Sequence, residues 1–371
     1  MTDTLRVVIT GASSGIGRAT ARLFAEEDAR LVLAGRDAST LEDVAAECRS
    51  LGATAITLRT DVSSAEEVDR LADAAVERFG GIDVWVGNAS LYSFGTFEQT
   101  PPEVFDRLLS VNLSGQVYGA RAALRVFRRQ EHGVLVSVAS VYSRITSPLV
   151  SPYVTSKFGL LGFLEVLRME LASAPDIHVC AVLPATIDTP IHQHAANHTG
   201  RAVRPLPPVT DPLRVARAIV RVSHAPRRLT QVGRVQSLFV HARALAPAAY
   251  QAVVARAYPA LALTRDAAPV SDGTVFNPDR HSTGVTGGVA LVPPAAAHCR
   301  RGRPTTLKGG PPALGWSRRC GPVPSARAAT ERRRQDAPTP SSARCPPMSR
   351  MTVSGSPPRA RWGRNGSWSA P

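Results

Sequence analysis

Lysine is almost missing from this sequence. Two lysines, Lys157 and Lys308, stand among 44 basic residues, so positive charge is carried nearly everywhere by arginine. Lysine is a compact point charge and arginine a planar fork, so Lys157, the one lysine ahead of the C-terminal tail, marks a place where the kind of cation matters. Cysteine is scarce too. The five form no C-x-x-C pair and no zinc spacing, and their number is odd, which excludes a disulfide scaffold and points to a reducing compartment. No run of 18 uncharged apolar residues occurs, so no membrane span is expected. The N-terminus has no basic stretch followed by a long apolar one, which predicts a cytoplasmic chain without a signal peptide.

Charge is unevenly placed. The net charge is +15, but residues 289–371 hold 15 basic and 2 acidic side chains, leaving a nearly neutral body before them. A nucleic-acid reading therefore applies only to that tail, whose three scattered tryptophans make a poor stacking platform, and no specific nucleic-acid partner is expected. The tail also carries 14 of the 30 prolines and no helical or strand period, so it is predicted to be disordered. It reads either as an anion-binding extension or as a reading-frame artefact. We favour the artefact, because Arg, Pro, Ala, Gly and Ser are what GC-rich codons encode.

The body alternates apolar runs with amphipathic patterns. Strands are predicted at 5–10, 30–34, 55–58, 82–86, 134–139, 177–183 and 228–232, and helices at 15–27, 39–51, 64–79, 102–129, 151–172 and 212–222. Strands apolar almost throughout, alternating with helices, predict an α/β fold with a doubly wound, parallel, seven-stranded sheet covered on both faces. We expect one catalytic domain over 1–233 and an extension over 234–288, with the tail after it. In the extension, 234–263 reads as helical with breaks at Pro247 and Pro259, and 264–288 as irregular.

Two motifs carry chemistry. The first predicted strand runs into Thr10-Gly11-Ala12-Ser13-Ser14-Gly15-Ile16-Gly17, which opens a helix. Glycines there permit a tight turn and let phosphate oxygens reach backbone N–H groups at a helix N-terminus, as a dinucleotide site requires. After the second strand comes Gly35-Arg36-Asp37. An acidic residue at the strand end would bind the ribose of NAD, whereas Arg36 suits a 2′-phosphate, so NADP is favoured over NAD. Asp37 then reads as a helix cap. In the second motif, Tyr153 and Lys157 share one helix face, with Ser140 just past the fifth strand, an arrangement suited to proton handling.

Together these motifs resemble the short-chain dehydrogenase/reductase family, with its T-G-x-x-x-G-x-G and Y-x-x-x-K signatures, over residues 5–233. The resemblance implies an oxidoreductase that interconverts a carbonyl and an alcohol, and a homodimer or homotetramer. It implies that Asp61 and Val62 contact the adenine, that Asn88 lies near the cofactor ribose, and that Pro184 and Thr189 lie against the nicotinamide. It adds Asn112 to Ser140, Tyr153 and Lys157 as a catalytic tetrad, with Asn112 positioning a water in the proton relay. Ser90 and Ala185 stand where the family usually has glycine.

In this reading a cation one turn away lowers the Tyr153 phenol, which exchanges a proton with the substrate oxygen, while Lys157 also donates to the cofactor ribose. Ser140 hydrogen-bonds that oxygen. A catalytically idle NADP-binding sensor is the alternative. Leu91, Tyr92, Phe94, Phe97, Ile145, Leu149 and Val150 suggest an apolar pocket wall and a lipophilic substrate. His192, His194 and His198 read as polar lid residues rather than a metal site.

Overall fold

Strand β1 (Arg6–Thr10) lies between β2 (Arg30–Gly35) and β4 (Val84–Gly87), both parallel to it, with β3 (Thr54–Arg59) beyond β2. Beyond β4 come β6 (Gly133–Val138), β7 (Ile177–Pro184) and β10 (Leu229–Val232), giving a seven-stranded sheet in the order β10-β7-β6-β4-β1-β2-β3. The expected doubly wound α/β fold is the fold observed. Residues such as Val8 and Trp85 pack on one face of the sheet and Val7, Ile9 and Val86 on the other, which is why its strands read as unbroken apolar runs. The computed structural model describes residues 4–233, 235–279 and 283–288. The expected disorder of 289–371 lies outside the described residues.

Helix ends follow local chemistry. Helix α1 (Gly15–Ala25) opens on the glycine loop, and α2 (Ala38–Ser50) is capped by Asp37, whose Oδ1 accepts from Thr40 N at 2.9 Å. Helix α3 (Ala65–Phe79) is capped by Ser64 and ends at Gly80 with φ 80°. The helix expected at 102–129 runs through, but in three pieces: α4 (Pro102–Leu109), a π turn (Ser110–Ser114) and α5 (Gly115–Gln130). The π turn holds Asn112. Such turns are invisible to a period of 3.6 residues and gather at functional sites.

Helix α6 (Ser151–Glu170) carries Tyr153 and Lys157, and α8 (Pro212–His224) covers the opposite face of the sheet. A short parallel pair, β5 (Ser93–Phe94) and β8 (Ala196–Asn197), frames α7 (Ile191–His194). In the extension, Pro247 begins a helix as expected, separating α9 (Val235–Leu245) from α10 (Pro247–Ala262). Pro259 does not break α10, contrary to expectation. Tyr258 and Ala262, both buried, hold the turns on either side of it. The segment 264–288 is not wholly irregular either. Strand β11 (Leu263–Ala267) pairs antiparallel with β9 (Arg201–Val203), and an antiparallel bridge joins Ser271 to Asn197.

Candidate active site

The strand order reverses between β1 and β4, and their carboxyl ends leave a crevice there. Gly11 adopts φ 64°, and a Cβ on it would lie 2.7 Å from Ala89 Cα. At Gly17, in the first turn of α1, a Cβ would lie 2.1 Å from the Gly11 carbonyl oxygen and 2.6 Å from Asn88 Nδ2. Asn88 Nδ2 in turn donates to the carbonyls of Thr10 (3.1 Å) and Gly11 (2.9 Å), locking the loop to β4. Gly17→Ala is therefore expected to lower the unfolding free energy by about 1–3 kcal/mol, measured by denaturant titration. An unchanged midpoint would show that the loop yields.

Ser140 follows β6 and caps the short turn Val141–Ser143, its Oγ accepting from Tyr142 N at 3.1 Å. Lys157 is 1 % exposed; its Nζ donates to the Val138 carbonyl (3.1 Å) and stands 5.4 Å from the Tyr153 ring centroid. Burial brings the ammonium down to about 7. Tyr153 is also buried, its ring 4.3 Å from that of Tyr92 and 6.0 Å, edge-on, from that of Tyr142. Burial drives its phenol above the usual value, the Ser140 side chain opposes this by hydrogen bonding, and Tyr142 adds to the rise. Burial thus sets the direction in the folded protein, opposite to the lowering expected from a cation one turn away.

Asn112 is fully buried. Its Oδ1 accepts from Leu91 N (2.7 Å) and Ser90 Oγ (3.2 Å), and its Nδ2 donates to the Leu91 carbonyl (2.9 Å) and Ser156 Oγ (3.3 Å). Its side chain thus ties the loop after β4 to α6. The serine in place of the usual glycine at position 90 contributes one of these bonds.

On the far side of the crevice, Arg36 follows β2 and Asp61 follows β3. Asp61 is ion-paired with Arg107 of α4, and Val62 packs beneath Gly115, whose Cβ would lie 2.8 Å from Val62 Cγ2. Thr189, after β7, covers the loop: a Cβ on Gly15 would lie 3.1 Å from the Thr189 side chain. What the sequence did not disclose is the segment after β11, which crosses this crevice. Its carbonyls accept from Gly15 N (Gly284, 3.0 Å), Arg18 Nη1 (Thr283, 2.7 Å) and Arg36 Nη2 (Thr274, 2.6 Å).

One cavity of about 550 Å³ joins these parts, from Gly11, Arg36 and Asp61 past Tyr153 to the extension helices. Ser13, Ser14, Gly15, Ile16, Val62, Asn88, Ser140, Lys157, Pro184 and Thr189 all line it; Gly17 and Asn112 do not. Of the expected pocket wall, Leu91, Tyr92, Phe94 and Ile145 line the cavity. Phe97 is 70 % exposed, Val150 lies in the core, and Leu149 is outside the lining. The rest of that wall comes from the extension, through Phe239, Val253, Val254, Tyr258 and Leu261. His192 also lines it; burial brings its imidazole down to about 4, so it is neutral at physiological pH, and among the described residues its Nδ1 has no hydrogen-bond partner. His194 and His198 stand near Asp279 and Asp272, and among the described residues no three metal-ligating side chains converge.

A glycine cradle at the switch of a parallel sheet, opening into a cavity with a buried Tyr–Lys pair, has the form of a dinucleotide site. The family model for short chain dehydrogenase matches residues 6–200, and the chain belongs to that family of enzymes. It is 36 % identical over 233 residues to the uncharacterized oxidoreductase YxnA of Bacillus subtilis, covering 61 % of this chain and 65 % of that one. It is 37 % identical over 189 residues to 11-beta-hydroxysteroid dehydrogenase 1A of Arabidopsis thaliana, covering 50 % and 53 %. The chain thus spans less than two thirds of the length of these two curated relatives. Among solved structures, an alcohol dehydrogenase from Thermococcus sibiricus complexed with 5-hydroxy-NADP matches with TM-score 0.55 and 28 % identity, over 62 % of this chain and 95 % of that one. A short chain dehydrogenase/reductase from Burkholderia phymatum in complex with NAD matches with TM-score 0.60 and 25 % identity, over 67 % and 96 %.

Proposed function

We propose that the protein is an NADP-dependent oxidoreductase that interconverts a lipophilic ketone or aldehyde and its alcohol, with Tyr153 exchanging the proton. One observation carries this reading: a buried phenol, faced by Ser140 and backed by a buried lysine, opens into the same cavity as the glycine loop. A bound nicotinamide supplies or accepts the hydride. Tyr153, with its raised pKa, holds its proton at neutral pH, the form that donates to a carbonyl oxygen during reduction. Ser140 hydrogen-bonds that oxygen as negative charge develops on it. Lys157 in its charged form steadies the phenolate left behind and donates to the cofactor ribose.

Arg36 favours NADP over NAD, since it follows β2 directly and lines the adenosine end of the cavity, while Asp37, which also lines it, is engaged as the cap of α2. The apolar wall from Leu91 to Leu261 favours a lipophilic substrate. Buried, free Cys48 and Cys180 accord with a cytoplasmic setting, and the exposed Leu238, Leu245 and Val253 of the extension helices with a homo-oligomer. The test is a panel of apolar ketones, aldehydes and secondary alcohols, followed at the nicotinamide absorbance with NADPH and NADH in parallel. Turnover with a kcat/KM at least tenfold higher for NADPH is the expected result. Tight NADPH binding without turnover anywhere on the panel would favour the idle sensor instead.

A further inference from the structure

Arg36 is not alone at the adenosine end. Its Nη1 donates to the Val275 carbonyl at 3.0 Å, and the Nε of Arg107, on α4, donates to the same oxygen at 3.3 Å. Two guanidinium groups thus converge on one acceptor. Arg107 is held from behind, ion-paired with Asp61 and donating to Ser63 Oγ, and its side chain is only 17 % exposed. Arg36 makes no ion pair among the described residues; its hydrogen bonds go to the carbonyls of Thr274 and Val275. The trio Arg36, Arg107 and Asp61 therefore keeps one uncompensated positive charge, half-buried, and among the described residues Arg36 has only the neutral carbonyls of Thr274 and Val275 as acceptors. Guanidinium forks bind phosphate far better than they bind a neutral carbonyl.

We propose that Arg107 is a second specificity-determining residue, completing with Arg36 a two-guanidinium clamp for the 2′-phosphate of the cofactor, at the position now held by the Val275 carbonyl. This rests on the NADP reading above. Asp61 serves the clamp by holding the Arg107 fork in place. Lysine would not serve at either position, because the geometry needs two donors per side chain on neighbouring oxygens.

The test is calorimetric titration of the full chain with 2′,5′-ADP and with 5′-ADP, which differ only in the phosphate at issue. The wild type is expected to bind 2′,5′-ADP at least tenfold more tightly. Arg36→Gln and Arg107→Gln are each expected to reduce that ratio about tenfold, while 5′-ADP binding changes less than threefold. Arg107→Gln leaves Asp61 without its partner, so Arg107→Gln/Asp61→Asn is measured beside it and is expected to lose the preference as well. If the ratio survives within twofold in both Arg107 variants but collapses in Arg36→Gln, Arg107 merely anchors Asp61, and the inference fails while the NADP reading stands. If both probes weaken equally, Arg107 is structural and the inference likewise fails. A wild type that shows no preference overturns the NADP reading and the clamp with it.

Discussion

Tyr153→Phe is expected to lower kcat for carbonyl reduction by about 10²–10⁴-fold, with NADPH affinity, followed by its fluorescence, changed less than about twofold. The substitution removes one oxygen. The ring keeps its place between Tyr92 and Tyr142, so packing is unaltered, and the cost falls on the proton transfer alone. Ser140 remains to hydrogen-bond the substrate oxygen, which accounts for whatever rate is left. A variant that kept more than about a tenth of the wild-type rate would remove Tyr153 from the proton path, and the hydroxyls of Tyr142 and Ser140 would be the next candidates.

Lys157→Met is expected to abolish turnover and yet to stabilise the fold at neutral pH. The lysine is buried, and its ammonium falls from the usual 10.5 to about 7. Below pH 7 the lysine is charged in both folded and unfolded states, so the folded protein bears the full cost of burying that charge. Between about 7 and 10.5 the unfolded chain still holds a proton that the folded one has released. The unfolded state then binds more protons, and stability rises with pH. The cost at or below neutrality is a few kcal/mol, reduced by the hydrogen bond to the Val138 carbonyl, which is worth about 1 kcal/mol. The Met variant should therefore melt roughly 4–8 °C higher at pH 6.5, with the gap narrowing towards pH 9.5. A difference of the same size at both pH values would mean that the gain comes from packing and not from relief of a buried charge.

Much of this site could be read from residue spacing because its parts are local. The glycine loop lies within one turn of a strand's end, and Tyr153 and Lys157 within one turn of a helix, so both survive in any fold that keeps those elements. Asp37 as a cap and Arg36 at the crevice followed from the same short-range logic. The elements that escaped depend on distant partners. A π turn leaves the apolar period of 102–129 almost unchanged, so nothing local announced that Asn112 would be turned towards Leu91. Phe97 and Phe94 are equally apolar, and only the pairing of β5 with β8 decides which of them is buried. Pro259 looked like a breaker because propensity is local, whereas the buried neighbours that hold α10 together are not. Burial likewise reversed the expected shift of the Tyr153 phenol, since a charged neighbour is visible in a sequence and a dry environment is not. Arg107 carried no signal at all: one arginine among many, singled out only by sharing an acceptor with Arg36.

The segment after β11 also bears on the order in which the chain assembles. Arg18 donates to the carbonyl of Thr283, 265 positions later, and its neighbour Gly15 is bonded to Gly284. The β-turn-α unit of β1 and α1 therefore cannot complete these two bonds until residues 283 and 284 have been made. Contacts of such separation carry a large loop-closure entropy and form late. The crevice beside β1 is thus completed only by residues far later in the sequence than those that begin it.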